Sequence, residues 1–377
     1  MVPSIRREEM SMKRRDFIKG AVPAAAGLAA ASSLSAPAYA QGKRQLKLVT
    51  TWPKNFPGLG TGAQRYADRI TAMTDGTLEV KLFAAGELVP PFESFDAVST
   101  GTADMYHGAE YYWQGKSPAF NFFAAVPFGL TATEMNAWIY HGGGQQLWDE
   151  LSAKFNIKAM PCGNTGVQMG GWFNKEITSL DDFKGLTMRM PGLGGEVLRK
   201  IGATAVALPG GEIFPALQSG AIDATEWVGP WNDLAFGFYR IAKFYYYPGF
   251  HEPGATLSTG INLDTWNELT EGQKAVVEAA AKAENTYMLA EFNAQNGNAL
   301  NTLVNEHNVQ LKKFPEDVLK AIGKASGEVI ADLAAQNEDV AKVYDSFIKF
   351  RQNAMEWASV SDQAYWEARA LDYPYGG

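Results

Sequence analysis

Arg189, Gln168, Glu226 and Glu252 carry most of the chemistry this sequence offers. In "FKGLTMRMPG" (183–192), Leu186 and Met188 alternate with Thr187 and Arg189. That is the period-2 pattern of a strand with one buried face, stopped by Pro191 and Gly192. Arg189 therefore stands where a strand gives way to a loop. A guanidinium fixed there can grip a carboxylate through two parallel hydrogen bonds, or it can be a solvated edge residue. Glu226 closes another strand in "IDATEWVGP", Gln168 lies in "GNTGVQMGG", and Glu252 lies in "GFHEPG". Carboxylate and amide oxygens of this kind suit sodium or calcium. Spacing alone does not make them converge, and residue type by itself favours two solvated loop glutamates. Of the four histidines, His251 is the best placed to face a cleft, because it adjoins Glu252. Trp52, Trp113, Trp172, Trp227 and Trp231 fall near loops or strand ends, where rigid rings can line a small pocket or simply fill the core. Trp227 stands out because it follows Glu226 directly.

Other chemistries are missing from the sequence. There is no nucleophile elbow, phosphate-binding P-loop, dinucleotide fingerprint or zinc-protease helix. "GLGTG" and "GLGG" are incomplete glycine clusters and read as turns. The single cysteine, Cys162, excludes an internal disulfide and reads as a small buried hydrophobe.

The elements that must position these residues begin after an export segment. "KRRDFIKG" places Arg14 and Arg15 before an Ala/Gly/Ser-rich run that ends in Ala38-Tyr39-Ala40. This predicts a cleaved twin-arginine signal peptide over residues 1–40, with the stretch before Met12 read as a non-native start. Removing its six basic and three acidic residues takes the formal net charge from −8 to −11. An acidic chain of this kind argues against nucleic acid as a general partner.

From residue 41 the chain alternates strand and helix. "LKLVTTWP" and "TLEVKLF" are strands on either side of a helix in which Ala63, Tyr66, Ala67, Ile70 and Met73 share one face. A second round holds the strands "IKAMPC", "VQMGGWF", "LTMRM", "TAVAL" and "IDATEW". The rhythm predicts an α/β protein of two lobes with mostly parallel sheets, a ligand cleft between them and long bracing helices. Lobe I takes residues 41–165 plus about 255–295; lobe II takes 166–254 plus returning C-terminal helices. Residues 296–377 are expected to form C-terminal helices with a dimerising role. The helical stretch from Thr270 is long enough to span both lobes.

Together these segments resemble the solute-binding subunits of tripartite ATP-independent periplasmic (TRAP) transporters. "GTLEVKLFAAGEL", "LDDFKGLTMRMPG", "LPGGEIFPALQSGAIDATEW" and the His251-Glu252 pair occur in that family's order. The closest likeness is to the branch that binds 2-oxo acids such as pyruvate, or lactate, with a metal ion. The resemblance implies that Arg189 pairs with the ligand carboxylate. It also implies that Gln168, Glu226, Trp227 and Glu252 hold a sodium or calcium ion, with Gln168 and Trp227 also facing the ligand. Strand-end position adds Asn164, Tyr111 and Tyr112 as ligand contacts. The implied partners are a small carboxylate and the small and large permease subunits; the long C-terminal helices add a second copy of the chain as an expected partner. No catalysis is expected of such a periplasmic carrier. A metal-dependent enzyme acting on a small organic acid, or a sensing subunit for a membrane kinase, are the competing readings.

Overall fold

The alternation that marks the strands is matched by burial: in Arg44–Thr50, Leu46 and Leu48 turn inward while Gln45 and Lys47 do not. The computed structural model describes residues 43–375, so the expected export segment lies outside the described residues. In chain order the strands are β1 (Arg44–Thr50), β2 (Leu78–Phe83), β3 (Met105–Gly108), β4 (Ile157–Asn164), β5 (Gly171–Phe173), β6 (Thr187–Arg189), β7 (Thr204–Val206), β8 (Ala224–Thr225), β9 (Phe244–Tyr247), β10 (Thr256–Asn262) and β11 (Gln310–Lys313).

They form two sheets. The first has the order β2-β1-β3-β10-β4, and the second β11-β9-β5-β8-β6-β7. Strands run parallel in each sheet except for one inverted member, β10 in the first and β5 in the second. The carboxyl ends of β1, β3, β6 and β8 lead into Trp52, the Tyr111–Tyr112 pair, Arg189 and Glu226. Ligands of open α/β sheets bind at such ends.

The helix Glu271–Asn305 ties the lobes together. A capping box of Thr270 and Gln273 starts it. Its Val277, Ala280 and Ala281 enter the core beneath the first sheet. Its Phe292 and Leu303 pack in the cluster that contains Trp172 and Tyr245 of the second. The helix Glu316–Gln336 then covers the second sheet through Val318, Ile322 and Ala325. Glu338–Val360 returns to the first lobe, where Phe347 meets Phe122 and Trp138 edge-on at 5.5 and 5.2 Å.

One expectation needs correcting. Residues 296–377 are not all helical, because β11 pairs with β9 at the edge of the second sheet. "QLKK" is a short, largely exposed edge strand without apolar alternation. Lysine-rich edges discourage pairing with other chains and leave no period-2 pattern to read.

Candidate functional site

Arg189 ends β6, whose register sets Arg189 beside Thr225 of β8. The next residue, Glu226, is thereby delivered to the guanidinium, and its backbone N–H donates to the Arg189 carbonyl at 3.2 Å. Arg189 Nη1 donates to Glu226 Oε1. Its other donors reach the carbonyls of Glu226 (3.3 Å) and Leu208 (3.2 Å) and the hydroxyl of Tyr112 (3.4 Å). The guanidinium also lies 5.1 Å from the centre of the Trp227 ring. Only 1% of Arg189 and of Glu226 is exposed. Burial works against the arginine's charge, but Glu226, then Tyr112, Tyr111 and Glu252 outweigh it and raise its pKa.

A tight turn adds the second carboxylate. The Gly249 N–H donates to the Gln168 carbonyl at 3.0 Å, and the Gln168 N–H to the Glu252 carbonyl at 3.1 Å. A Cβ at position 249 would stand 2.2 Å from that Gln168 oxygen, so the approach requires glycine. Gln168 Nε2 donates to Glu252 Oε2 at 2.8 Å, and the Tyr111 hydroxyl lies 3.5 Å from the same oxygen. Burial first, and the neighbouring Glu226 second, push the Glu252 carboxyl well above the usual range, against the pull of Arg189. Burial likewise lifts the Tyr112 phenol to about 12.

Many polar atoms here are buried without a hydrogen-bond partner: Gln168 Oε1, Glu226 Oε2, Trp227 Nε1 and both ring nitrogens of His251. Unpartnered buried atoms also occur singly elsewhere among the described residues, such as Glu110 Oε2 and Trp148 Nε1, but here several gather around one arginine, which marks a place for something else to complete. The adjoining cavity is tight, about 10 Å³, and is lined by Trp52, Leu59, Tyr111, Tyr112, Thr165, Gln168, Trp227, Val228 and Leu257. That is room for about one water, far below the roughly 300–1,000 Å³ of sites for drug-sized ligands.

The donor set fits a hard cation. Glu226 and Glu252 offer carboxylate oxygens within 4.8 Å of one another, and the free Gln168 Oε1 is a neutral oxygen ligand of the kind sodium and calcium take; His251 lies within the same distance but offers a nitrogen, which such cations do not favour. Trp227 can contribute only its carbonyl, since the indole nitrogen is a donor.

Of the residues singled out in the sequence, the structure brings together Arg189, Gln168, Glu226, Trp227, Glu252, Tyr111 and Tyr112. Asn164 makes its hydrogen bonds next to the cavity-lining Thr165. Its amide donates to the Gly254 carbonyl and Thr256 Oγ1, both at 3.3 Å, and its oxygen accepts the Gly166 N–H at 2.8 Å. These bonds fix the turn after β4. The two glutamates are buried and not solvated. Trp113 and Trp172 pack in the core, whereas Trp52 lines the cavity. Sequence reasoning missed Leu59, Thr165, Val228 and Leu257, because nothing in their local pattern differs from ordinary core or turn positions.

Two α/β sheets joined by a shared long helix, with an enclosed arginine and carboxylates at facing strand ends, define a two-lobed solute receptor. Residues 48–337 match the bacterial extracellular solute-binding protein family 7 (DctP). The chain belongs to this family of solute-binding receptors, which includes those of TRAP transporters. It is 40% identical over 358 residues to a monocarboxylate 2-oxoacid-binding periplasmic protein of Nostoc sp. PCC 7120, a match covering 94% of this chain and 98% of the relative. A TRAP solute-binding protein of Pseudoalteromonas atlantica T6c, solved with bound sodium and pyruvate, is 39% identical with a TM-score of 0.85, covering 88% of this chain and 100% of the other. A Bordetella bronchiseptica RB50 counterpart is 38% identical with a TM-score of 0.85 and the same coverage. It is a mixed-occupancy dimer with copurified calcium and picolinate in one site and an apo site.

Proposed function

We propose that this protein captures a small 2-oxo monocarboxylic acid of the pyruvate type, or the corresponding 2-hydroxy acid, together with a sodium or calcium ion. It works in the periplasm after twin-arginine export and signal cleavage, and it delivers the acid to the small and large permease subunits for ion-driven uptake. The observation that carries this reading is the buried Arg189–Glu226–Glu252 set, beside a small cavity with unpartnered Gln168, Glu226 and Trp227 atoms. Arg189 grips the carboxylate, and the Trp227 indole N–H and Tyr112 hydroxyl offer further donors to the ligand. Gln168, Glu226, Glu252 and the Trp227 carbonyl would hold the cation. Its chemistry is to bind adjacent carboxylate and 2-oxo oxygens, which selects against acids lacking that pair. Hydrogen bonds to charged groups contribute about 1.5–3 kcal/mol each once water is excluded, so losing the chelating oxygen is expected to lower affinity by an order of magnitude or more.

The test is the melting temperature of ligand-stripped protein with pyruvate, longer 2-oxo acids, lactate, succinate and sialic acid, with and without chelator. Specific ligands raise the melting temperature by mass action. A rise confined to 2-oxo and 2-hydroxy acids and lost with chelator is expected. A rise with dicarboxylates or sugars that ignores chelator would overturn the substrate and the metal.

A second copy of the chain is proposed to dock on the C-terminal helices. Trp357, Val360, Tyr365 and Trp366 are exposed there, and the helix Asp362–Arg369 buries nothing within its own chain. Apolar patches of this kind mark interaction surfaces. Light scattering of full-length and truncated protein distinguishes a dimer lost on truncation from a monomer in both.

A further inference from the structure

His251 is as deeply buried as the residues around it, yet the proposed ligand and cation contacts leave it without a role. It is 2% exposed, and neither ring nitrogen has a hydrogen-bond partner. Nε2 lies 3.4 Å from Glu226 Oε2, and that oxygen is itself unpartnered. The other Glu226 oxygen is held by Arg189. Glu226 thus sits between two nitrogen bases and uses only one. The imidazole is also fitted into its place: the Phe250 ring meets it edge-on at 5.5 Å, and a Cβ on Gly194 would come within 2.9 Å of the His251 Cβ. Any residue larger than glycine at position 194 would press on it.

We infer that His251 is a positioning residue for Glu226 that takes over as its hydrogen-bond donor when Arg189 turns to the ligand. This rests on the carboxylate-and-cation reading above. Arg189 has a limited number of donors, and a bidentate grip on a ligand carboxylate uses two of them on one face. Glu226 must then give up much of its contact with Nη1. A buried carboxylate left without a donor is strongly disfavoured. His251 Nε2 stands 3.4 Å from the Glu226 oxygen that Arg189 does not hold, and with its proton on that nitrogen needs only a small adjustment to donate. Donation from there holds one carboxylate oxygen still and leaves the other aimed toward the cation. Outer partners that orient a ligating side chain in this way typically change metal affinity by about 10–100-fold when removed.

The role differs from packing in what it predicts for the empty protein. With Arg189 on Glu226, His251 contributes no hydrogen bond, so losing it should matter only on loading. The experiment uses His251→Leu and His251→Gln, the glutamine amide reaching about as far as Nε2. Three quantities are read: calcium binding alone by calorimetry, pyruvate binding in saturating calcium, and melting temperature of the metal-free protein. The inference expects His251→Leu to weaken calcium and pyruvate by about 10–100-fold with an unchanged metal-free melting temperature, and His251→Gln to recover most of the loss. Wild-type-like binding by the leucine variant overturns it. So does a loss that glutamine fails to recover, or one matched by a fall in metal-free melting temperature, which would mark packing. Wild-type protein that binds neither calcium nor pyruvate would sink the functional reading itself, and the inference with it.

Discussion

Asp233 and Glu226 are both carboxylates of the second lobe, each 1% exposed, and one is finished where the other is not. Asp233 Oδ2 accepts from the Tyr245 hydroxyl (2.7 Å) and Trp172 Nε1 (3.0 Å), and Oδ1 accepts from the Val228 N–H (3.2 Å). Nothing more is needed there. Glu226 has Arg189 on one oxygen and no hydrogen bond on the other, with the unpartnered Gln168 Oε1 and His251 nitrogens also left open. Burial of an acid is therefore no guide to function in this molecule. Open hydrogen bonding alone is no guide either, since Glu110 Oε2 in the first lobe is also unpartnered; what marks the receptor site is several open atoms of Gln168, Glu226, Trp227 and His251 gathered around Arg189.

The comparison predicts its largest effect at the charge that balances the open site. Arg189→Ala leaves Glu226 and Glu252 buried without a cation. Removing one partner of a buried ion pair costs about 3–5 kcal/mol, so chemical denaturation should show a loss of that size together with abolished carboxylate binding. A variant that keeps wild-type affinity would remove Arg189 from the ligand altogether. Next comes the exchange of one acid for its amide in each place. Asp233→Asn puts an amide where two donors already point, and should cost about 1–3 kcal/mol with ligand affinity untouched. Glu226→Gln takes the carboxylate from buried Arg189 and so should also cost about 3–5 kcal/mol, but unlike Asp233→Asn it should lose the chelator-sensitive part of binding by calorimetry. If both variants affect stability and binding alike, the distinction between finished and open carboxylates fails.

How much of this was legible in the sequence follows from the same contrast. Arg189 could be read because an apolar alternation ended in Pro-Gly, which places it at a strand exit whatever the fold. The resemblance, and not any periodicity, pointed to Glu226 and Glu252 as partners. By residue type they read as solvated, because the parallel pairing of β6 with β8 and the turn at Gly249 act over distances that local pattern does not encode. Asn164 shows the limit of strand-end position, which fixes where a residue sits but not which groups its side chain meets: its hydrogen bonds lie in the turn after β4. The two-lobed α/β layout was readable from the strand and helix rhythm. The edge strand β11 was not, since its polar residues carry no pattern of burial.

Smaller, but specific to the finished carboxylate, is a pH effect. Burial, opposed by its three hydrogen bonds, raises the Asp233 pKa from an ordinary 3.8 to about 7. The folded chain thus keeps a proton that the unfolded chain releases. Stability from this group is full below about pH 4, falls as pH rises toward about 7, and is level above that. Glu110 behaves in the same sense, raised by burial from 4.5 to about 7. His107 opposes them: burial lowers it from 6.5 to about 4, so its contribution is lost as pH falls through that window. Asparagine does not titrate, so the gap in stability between wild type and Asp233→Asn should narrow as pH rises from about 4 to about 7. Urea denaturation at intervals across that range measures it, and a gap independent of pH would mean that Asp233 is ionised throughout.

The smallest effect is expected at a third set of charges, which is complete and partly wet. Arg65 Nη2 lies 2.7 Å from Glu284 Oε1 and 2.8 Å from Glu291 Oε2, and Arg69 Nη1 lies 3.3 Å from the other Glu284 oxygen. Two arginines face two glutamates, so the set is neutral without any ligand, and it braces the helix Leu59–Met73 against Glu271–Asn305. Glu284 is fully buried, but the Glu291 side chain is 23% exposed, and without it Arg65 still has Glu284. Ion pairs open to solvent contribute about 0–1 kcal/mol. Glu291→Gln should therefore shift stability by no more than that, less still at high salt, and leave pyruvate affinity where it was. The brace joins a first-lobe helix to the helix that spans both lobes, so this variant also asks whether the brace is only scaffold. Unchanged affinity keeps it with Asp233. A clear change in affinity at constant stability would place it instead with Glu226, as a contact whose strength depends on whether the site is loaded.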